Sequence, residues 1–167
     1  MQGPSQELTI GDRAPDFVLP GPDDKFYQFY ERTRGRPQIL FFYPGKTSDA
    51  WGQVENFVKH FEQFERLGVD IFGVNLDTPK NNKKLKLPFF IWSDINQKIT
   101  EHYLRAAGLT QEQKKTINIF LLDANQRVLE VKLGLEESLP KIILEFYGQL
   151  PPHQEPRLMS ANAPVLL

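Results

Sequence analysis

Few side chains here could do covalent or metal chemistry. The 167 residues include three histidines and no cysteine. Disulfides, thiolate metal sites and thiol catalysis are therefore excluded. Thr47 and Ser48 bring two hydroxyls into the run Phe41-Phe42-Tyr43-Pro44-Gly45-Lys46-Thr47-Ser48-Asp49-Ala50-Trp51. No histidine or acid is evident as a base to activate them, so capping and turn formation are expected of both. His60, His102 and His153 stand apart from one another. The adjacent Glu101-His102 pair is a poor chelate, because neighbours on a helix point about 100° apart. No catalytic residue, metal site or cofactor is expected from these groups.

The elements around them follow from hydropathy. Ile39 to Tyr43 is an unbroken apolar run, suited to a strand covered on both faces. It enters Pro44 and a short polar loop. Val54, Phe57, Val58, Phe61, Phe64 and Leu67 then recur at spacings of three and four, which predicts one helix with one buried stripe. Ser48 or Asp49 is the expected N-cap, and Gly68 the stop. Val69 to Leu76 reads as a second buried strand, Thr78 to Lys86 as a short helix, and Phe89 to Trp92 as a short strand. Asp94 to Ala106 is expected to be helical, with Ile95, Ile99 and Tyr103 on its inner stripe. Ile117 to Leu122 and Val128 to Val131 form a hairpin about the turn Asp123-Ala124-Asn125-Gln126. Leu139 to Leu150 is the last helix, with Ile142, Ile143 and Phe146 inward. Two short strands, Phe17 to Leu19 and Phe26 to Phe29, precede all of these. Alternation first and a hairpin last predict an α/β fold, a mixed central sheet flanked by helices.

Composition narrows the class further. Charged residues make up 25% and the net charge is −1, so bulk electrostatics favour neither nucleic acid nor a membrane surface. No stretch approaches the roughly 20 apolar residues of a membrane span, and Met1 to Leu8 lacks an apolar signal region. A cytoplasmic location is the expectation. The basic run Lys80-Asn81-Asn82-Lys83-Lys84-Leu85-Lys86 is expected to be a solvated helix face. Residues 1–150 are expected to form one domain. The proline-rich stretch Pro151 to Pro156 reads as a linker, so 151–167 would be linker or the start of a following domain.

Four ordered segments carry a resemblance. Gly11-Asp12-Arg13-Ala14-Pro15-Asp16-Phe17-Val18-Leu19 resembles the opening of peroxiredoxins of the alkyl hydroperoxide reductase and thiol-specific antioxidant type. Gly35-Arg36-Pro37 leading into Phe41-Phe42-Tyr43-Pro44 resembles their central strand and active-site loop. Leu87-Pro88-Phe89-Phe90-Ile91-Trp92-Ser93-Asp94 and Phe120-Leu121-Leu122-Asp123 are similar to two later segments. The resemblance runs from about Ile10 to about Gly148 and implies a thioredoxin-like fold.

It does not imply the family's reaction. The family's loop reads proline, three residues, threonine, two residues, cysteine. Counted from Pro44, the threonine position is Ser48 and the cysteine position is Trp51. Indole cannot attack a peroxide as a thiolate does. The family's supporting arginine, counted back from Asp123, falls on Ile117. Tyr43, Pro44, Ser48, Trp51 and Ile117 are thus expected to be a vestigial active-site loop and its former support. Two readings of Trp51 are open: it plugs the vacated site, or it lines a pocket with Tyr43 and Trp92. Ala163-Pro164-Val165-Leu166-Leu167 is similar to the junction of bacterial proteins in which such a domain precedes an iron and 2-oxoglutarate dependent oxygenase. The expected partners are therefore an adjoining oxygenase domain or another protein, with a homodimer by family analogy. An interaction or regulatory role is expected. A non-thiol or partner-assisted redox or ligand-binding role is the alternative.

Overall fold

The structure is a computed structural model that describes residues 8–133 and 139–149. The lead-in before Leu8, the acidic pair Glu136-Glu137 and everything from Leu150 onward lie outside the described residues, as does His153.

Two short antiparallel strands open the fold, β1 (Val18–Pro20) and β2 (Phe26–Gln28), followed by a one-turn helix α1 (Phe29–Thr33). The main sheet holds β3 (Gln38–Phe42), β4 (Asp70–Asn75), β5 (Phe90–Ser93), β6 (Asn118–Leu122) and β7 (Val128–Leu133). Their order across the sheet is β5-β4-β3-β6-β7. Pairing is parallel for β3–β4 and β4–β5, and antiparallel for β3–β6 and β6–β7. The crossovers that parallel pairing requires carry α2 (Trp51–Lys59) and α3 (Phe61–Arg66), then α4 (Pro79–Leu85). Two further helices, α5 (Lys98–Ala106) and α6 (Leu139–Gln149), complete the layers.

Side-chain alternation along the strands divides the core in two. Ile39, Phe41, Ile71, Ile91, Ile119 and Leu121 face α2, α3 and α6 through Val54, Phe57, Phe64, Ile143 and Tyr147. Leu40, Phe42, Phe72, Val74, Trp92 and Phe120 face the other way, onto Phe17, Phe29 and Tyr103. Burial on both faces is why β3 and β6 read as continuous apolar runs.

Three sequence expectations need correction. The long helix over the 54–67 stripe is two helices, broken at His60, where φ is −101° and ψ is 8°. The ring Nδ1 of His60 lies 2.8 Å from the Asn56 carbonyl, the same oxygen that accepts the His60 backbone N–H. The break turns the stripe, leaving Leu67 45% exposed while Phe64 is buried. The helix expected from Asp94 begins only at Lys98, after Gln97 in the left-handed region at φ 62°. Asp94 is buried and accepts the backbone N–H and the hydroxyl of Thr100 through Oδ2, so the early residues form a turn and Ile95 stays outside, 52% exposed. In α6, Leu139, Pro140, Ile143 and Tyr147 are the buried residues. Phe146 packs only partly, and Ile142 is half-buried. The Tyr147 hydroxyl donates toward the carbonyls of Gln38 and Leu122, at 3.0 and 3.1 Å, and ties α6 to one end of the sheet.

Candidate functional site

The loop after β3 is built by backbone first. The Tyr43 N–H donates to the Val74 carbonyl at 3.1 Å, and the Leu76 N–H to the Pro44 carbonyl at 3.2 Å, so the β3–β4 pairing runs on past the strand ends. Pro44 has no N–H to extend it further. Gly45 then sits at φ +153°, and a Cβ there would lie 2.6 Å from Asp77 Oδ2. That φ, one L side chains rarely adopt, is what calls for glycine there, since the carboxylate end of Asp77 is free to turn aside. The Ser48 N–H and hydroxyl both donate to the Gly45 carbonyl, at 3.1 and 2.6 Å. The Trp51 N–H donates to the Ser48 carbonyl at 3.2 Å. Ser48 is therefore a turn residue. The helix starts after Ala50 without a side-chain cap, which corrects the expectation of Ser48 or Asp49 as N-cap.

Trp51 is half-buried on the α2 side of the sheet, its ring 6.4 Å from that of Tyr43. Ile117 is fully buried in the same apolar layer. The structure thus brings Tyr43, Trp51 and Ile117 to one face. It does not bring Trp92 there. Trp92 is buried in the opposite layer among Phe17, Phe72 and Phe90, and its indole N–H donates to the Tyr27 carbonyl at 3.1 Å. Alternation decides this: Trp92 pairs with Val74, and both point away from Tyr43.

Sequence reasoning missed the polar cluster beneath the loop. Tyr43 is buried, and its hydroxyl oxygen accepts from Asn75 Nδ2 at 3.0 Å. Asn75 and Asn82 exchange amide hydrogen bonds at 2.7 and 2.9 Å. Asn82 Nδ2 also donates to Ser93 Oγ at 2.8 Å, and Asn75 Oδ1 accepts the Asp77 N–H at 3.2 Å. Both hydrogens of each amide nitrogen are engaged, as burial requires. The signal was a polar residue closing each of two apolar strands, Asn75 on β4 and Ser93 on β5. Asn82 lay hidden inside the basic run. Thr78 caps α4 by accepting the Asn81 N–H at 3.1 Å, and this orientation turns Asn82 inward while Lys80, Lys83 and Lys84 stay exposed.

The chemistry available to the loop is limited. Burial pushes the Tyr43 hydroxyl up to about 12; the Asn75 donor pulls it down, and the negative charge of Asp77 adds to the rise. It stays protonated at neutral pH. Burial also raises Tyr103 and Tyr147. A tyrosine that titrates higher when folded gives stability that is complete below its ordinary value of 10.0 and is lost as pH climbs toward the folded value. Alkaline unfolding is therefore expected to begin above pH 10 and track tyrosinate absorbance. A stability curve flat from pH 10 to 12 would contradict this burial. Among the described residues, no group of three or more histidines and acids is arranged to hold a metal. No helix of the described residues is long and apolar enough to cross a membrane.

Three of the open clefts among the described residues lie elsewhere. They are edged by Glu65, Asp70 and Phe89 (about 420 Å³), by Phe26 and Ile95 (about 350 Å³), and by Arg13, Arg34 and Arg127 (about 490 Å³). None of these is lined by Tyr43, Pro44, Ser48, Trp51 or Ile117.

A mixed five-stranded sheet of this order, with helices on both faces and a loop running from its central strand into a helix, defines a thioredoxin-like α/β protein. The solved structure of peroxidoxin BcpB from Mycobacterium tuberculosis matches it with a TM-score of 0.72, covering 87% of this chain and 99% of that one. At 16% identity that likeness speaks for the fold alone. The sequence itself goes further: the AhpC/TSA family matches residues 10–131, and the chain belongs to that family. Chloroplastic peroxiredoxin Q of Populus jackii is 30% identical over 102 residues, 58% of this chain and 47% of that protein. Its counterpart from Gentiana triflora is 30% identical over 129 residues, 73% of this chain and 58% of that protein. The chain spans about half the length of the curated relatives it matches.

Proposed function

We propose that this chain is a peroxiredoxin-like domain without peroxidase chemistry, acting as an interaction or regulatory module. One observation carries the reading. A member of the AhpC/TSA family has no cysteine at all, and the two positions that would hold the nucleophile and its cation are Trp51 and Ile117. Both belong to, or pack against, one apolar layer, so neither position offers a charge or a nucleophile. Residues 1–150 are the proposed domain and 151–167 the proposed linker or start of the next one. The proposed partner is an adjoining oxygenase domain, on the likeness of Ala163-Pro164-Val165-Leu166-Leu167, or a second copy of this domain. The cytoplasm is the proposed location.

The test is direct. The purified chain with hydrogen peroxide or an organic hydroperoxide and a thiol reductant is expected to give no turnover above a no-protein control. Measurable turnover overturns the reading. The oxygenase neighbour is tested by the reading frame beyond Leu167, where an in-frame histidine–acid–histidine iron triad is expected and a stop codon would refute it.

A second reading, ligand binding at the loop, has one observation in its favour: Trp51 keeps part of its ring exposed beside Tyr43. Trp92 is fully buried, so changes in fluorescence quenching report on Trp51. A small molecule that protects Trp51 from an aqueous quencher would favour this reading over the first.

A further inference from the structure

The cleft at the other end of the sheet has a composition the loop lacks. It is lined by Arg13, Arg34, Gly35, Ala124, Asn125, Gln126 and Arg127, three cations and no acid. It is formed where the chain enters β3 and where the β6–β7 hairpin turns. The five residues of β3 put it about 17 Å or more from the Tyr43–Trp51 loop, at ~3.3 Å per residue.

Two of its guanidinium groups are fixed from behind. Arg13 donates to Gln126 Oε1 at 2.8 Å and lies 3.6 Å over the Tyr30 ring. Gln126 is buried, and its amide nitrogen donates to Thr33 Oγ1 at 3.0 Å and to the Tyr30 carbonyl at 3.2 Å. Arg127 donates to the Gly11 carbonyl at 2.9 Å. One hydrogen bond to the protein occupies one of five donors on each guanidinium. Most of the donors on each are not used by these bonds.

Their placement is unfavourable as it stands. Arg13 and Arg127 are direct partners in an isolated antiparallel bridge. Directly opposed residues of such a pair project to the same side, and like charges there repel. The nearby acids do not enter the cleft. Asp12 accepts the Thr9 N–H and hydroxyl, at 3.0 and 2.9 Å, and the charge of Arg127 is a minor contributor to its lowered pKa. Asp123 Oδ1 accepts the N–H groups of Asn125 and Arg127 inside the turn, at 2.8 and 3.0 Å. Asp16 accepts from the Tyr30 N–H and from Gln28. Glu31 meets Arg34 at 3.4 Å, but with both side chains well exposed, a contact of little strength.

We propose that this cleft binds a phosphate group, either free or carried as the ester of a small molecule. Three guanidiniums match a tetrahedral group with up to two negative charges better than a carboxylate, and planar forks suit its paired oxygens. A volume of about 490 Å³ exceeds one phosphate and leaves room for the organic part of an ester. The site stands independently of the role proposed for the Trp51 loop.

The test is titration of the isotopically labelled full chain, followed by amide NMR, with inorganic phosphate, glucose 6-phosphate and glucose. Saturable shifts at Ala124, Asn125, Gln126 and Arg127 are expected with phosphate or its ester. Arg127→Gln and Arg34→Gln are each expected to weaken binding about tenfold or more. Among the described residues Arg34 makes only an exposed ion pair, so Arg34→Gln is expected to keep the fold and the test remains decisive if Arg127→Gln does not. Tighter binding of the ester identifies a small-molecule phosphate; equal binding identifies the free anion. The proposal is overturned if neither probe gives saturable shifts up to about 10 mM. It is equally overturned if glucose alone reproduces the shifts, or if both variants bind like the parent.

Discussion

A Trp51→Cys variant is expected to carry a thiol that stays mostly protonated at neutral pH and reduces peroxide no faster than an ordinary thiol. The position opens α2, and a helix N-terminus favours the thiolate, but by only about 0.3–1 kcal/mol, under one pKa unit. Partial burial against the apolar layer opposes it. An arginine within about 4–6 Å would lower the thiol by roughly 1–3 units, but the position counted as the family's arginine is the buried Ile117. The thiol should therefore titrate within about one unit of 8.5, leaving at most about a quarter as thiolate at neutral pH. Thiolate absorbance against pH measures this. A midpoint below about 6.5 would mean that the loop still supplies a cation, and that the loss of chemistry is one substitution deep. The same variant reads out the role of the indole. If Trp51 fills the old site, truncation should cost about 2 kcal/mol in denaturant unfolding, less than a fully buried Trp. A cost near zero would favour the ligand platform.

Asn75→Ala is expected to be the most destabilising single change near the loop. It removes the donor to Tyr43, both hydrogen bonds shared with Asn82 and the acceptor for the Asp77 N–H. Each buried group left unpaired costs about 1–3 kcal/mol. Because the groups form one network, the total is better placed at roughly 3–5 kcal/mol than at their sum. For a chain of this size that lowers Tm by about 10 °C. Asn82→Ala should cost a similar amount, and the double variant far less than the two together, since each single change strands the other amide and the double removes both. Additive costs would show that the two amides act separately. Asp77 abuts Gly45, so hydrogen exchange at Gly45 to Ser48 should quicken in the Asn75 variant if the network holds the loop.

The sheet was legible because its strands are buried on both faces, which forces unbroken apolar runs in β3 and β6. Short-range turn chemistry was legible at Asp123 to Gln126. Helix limits were less so. The break at His60 is accompanied by a ring nitrogen beside the Asn56 carbonyl, and the late start of α5 by the buried carboxylate of Asp94 holding Thr100. Both are contacts that periodicity does not encode. The amide network was illegible for a related reason. Asn75, Asn82 and Ser93 lie on three elements, and only the β4–α4–β5 crossover brings them within hydrogen-bonding distance.

Composition and linear order were enough to establish the α/β class, the family likeness and the absence of thiol chemistry. These depend on which residues occur and in what sequence, and the missing cysteine holds whatever the chain's shape. Tertiary structure decided the rest. The side to which a side chain points is set by strand register, which separates Trp92 from Tyr43 although both are aromatic residues on segments flanking β4. Register also sets Arg13 opposite Arg127 across a gap of more than a hundred residues, a pairing no local pattern foretells. The loop from Phe41 to Trp51 records the family likeness in its sequence, and its environment in space sets Tyr43, Trp51 and Ile117 in or against one apolar layer.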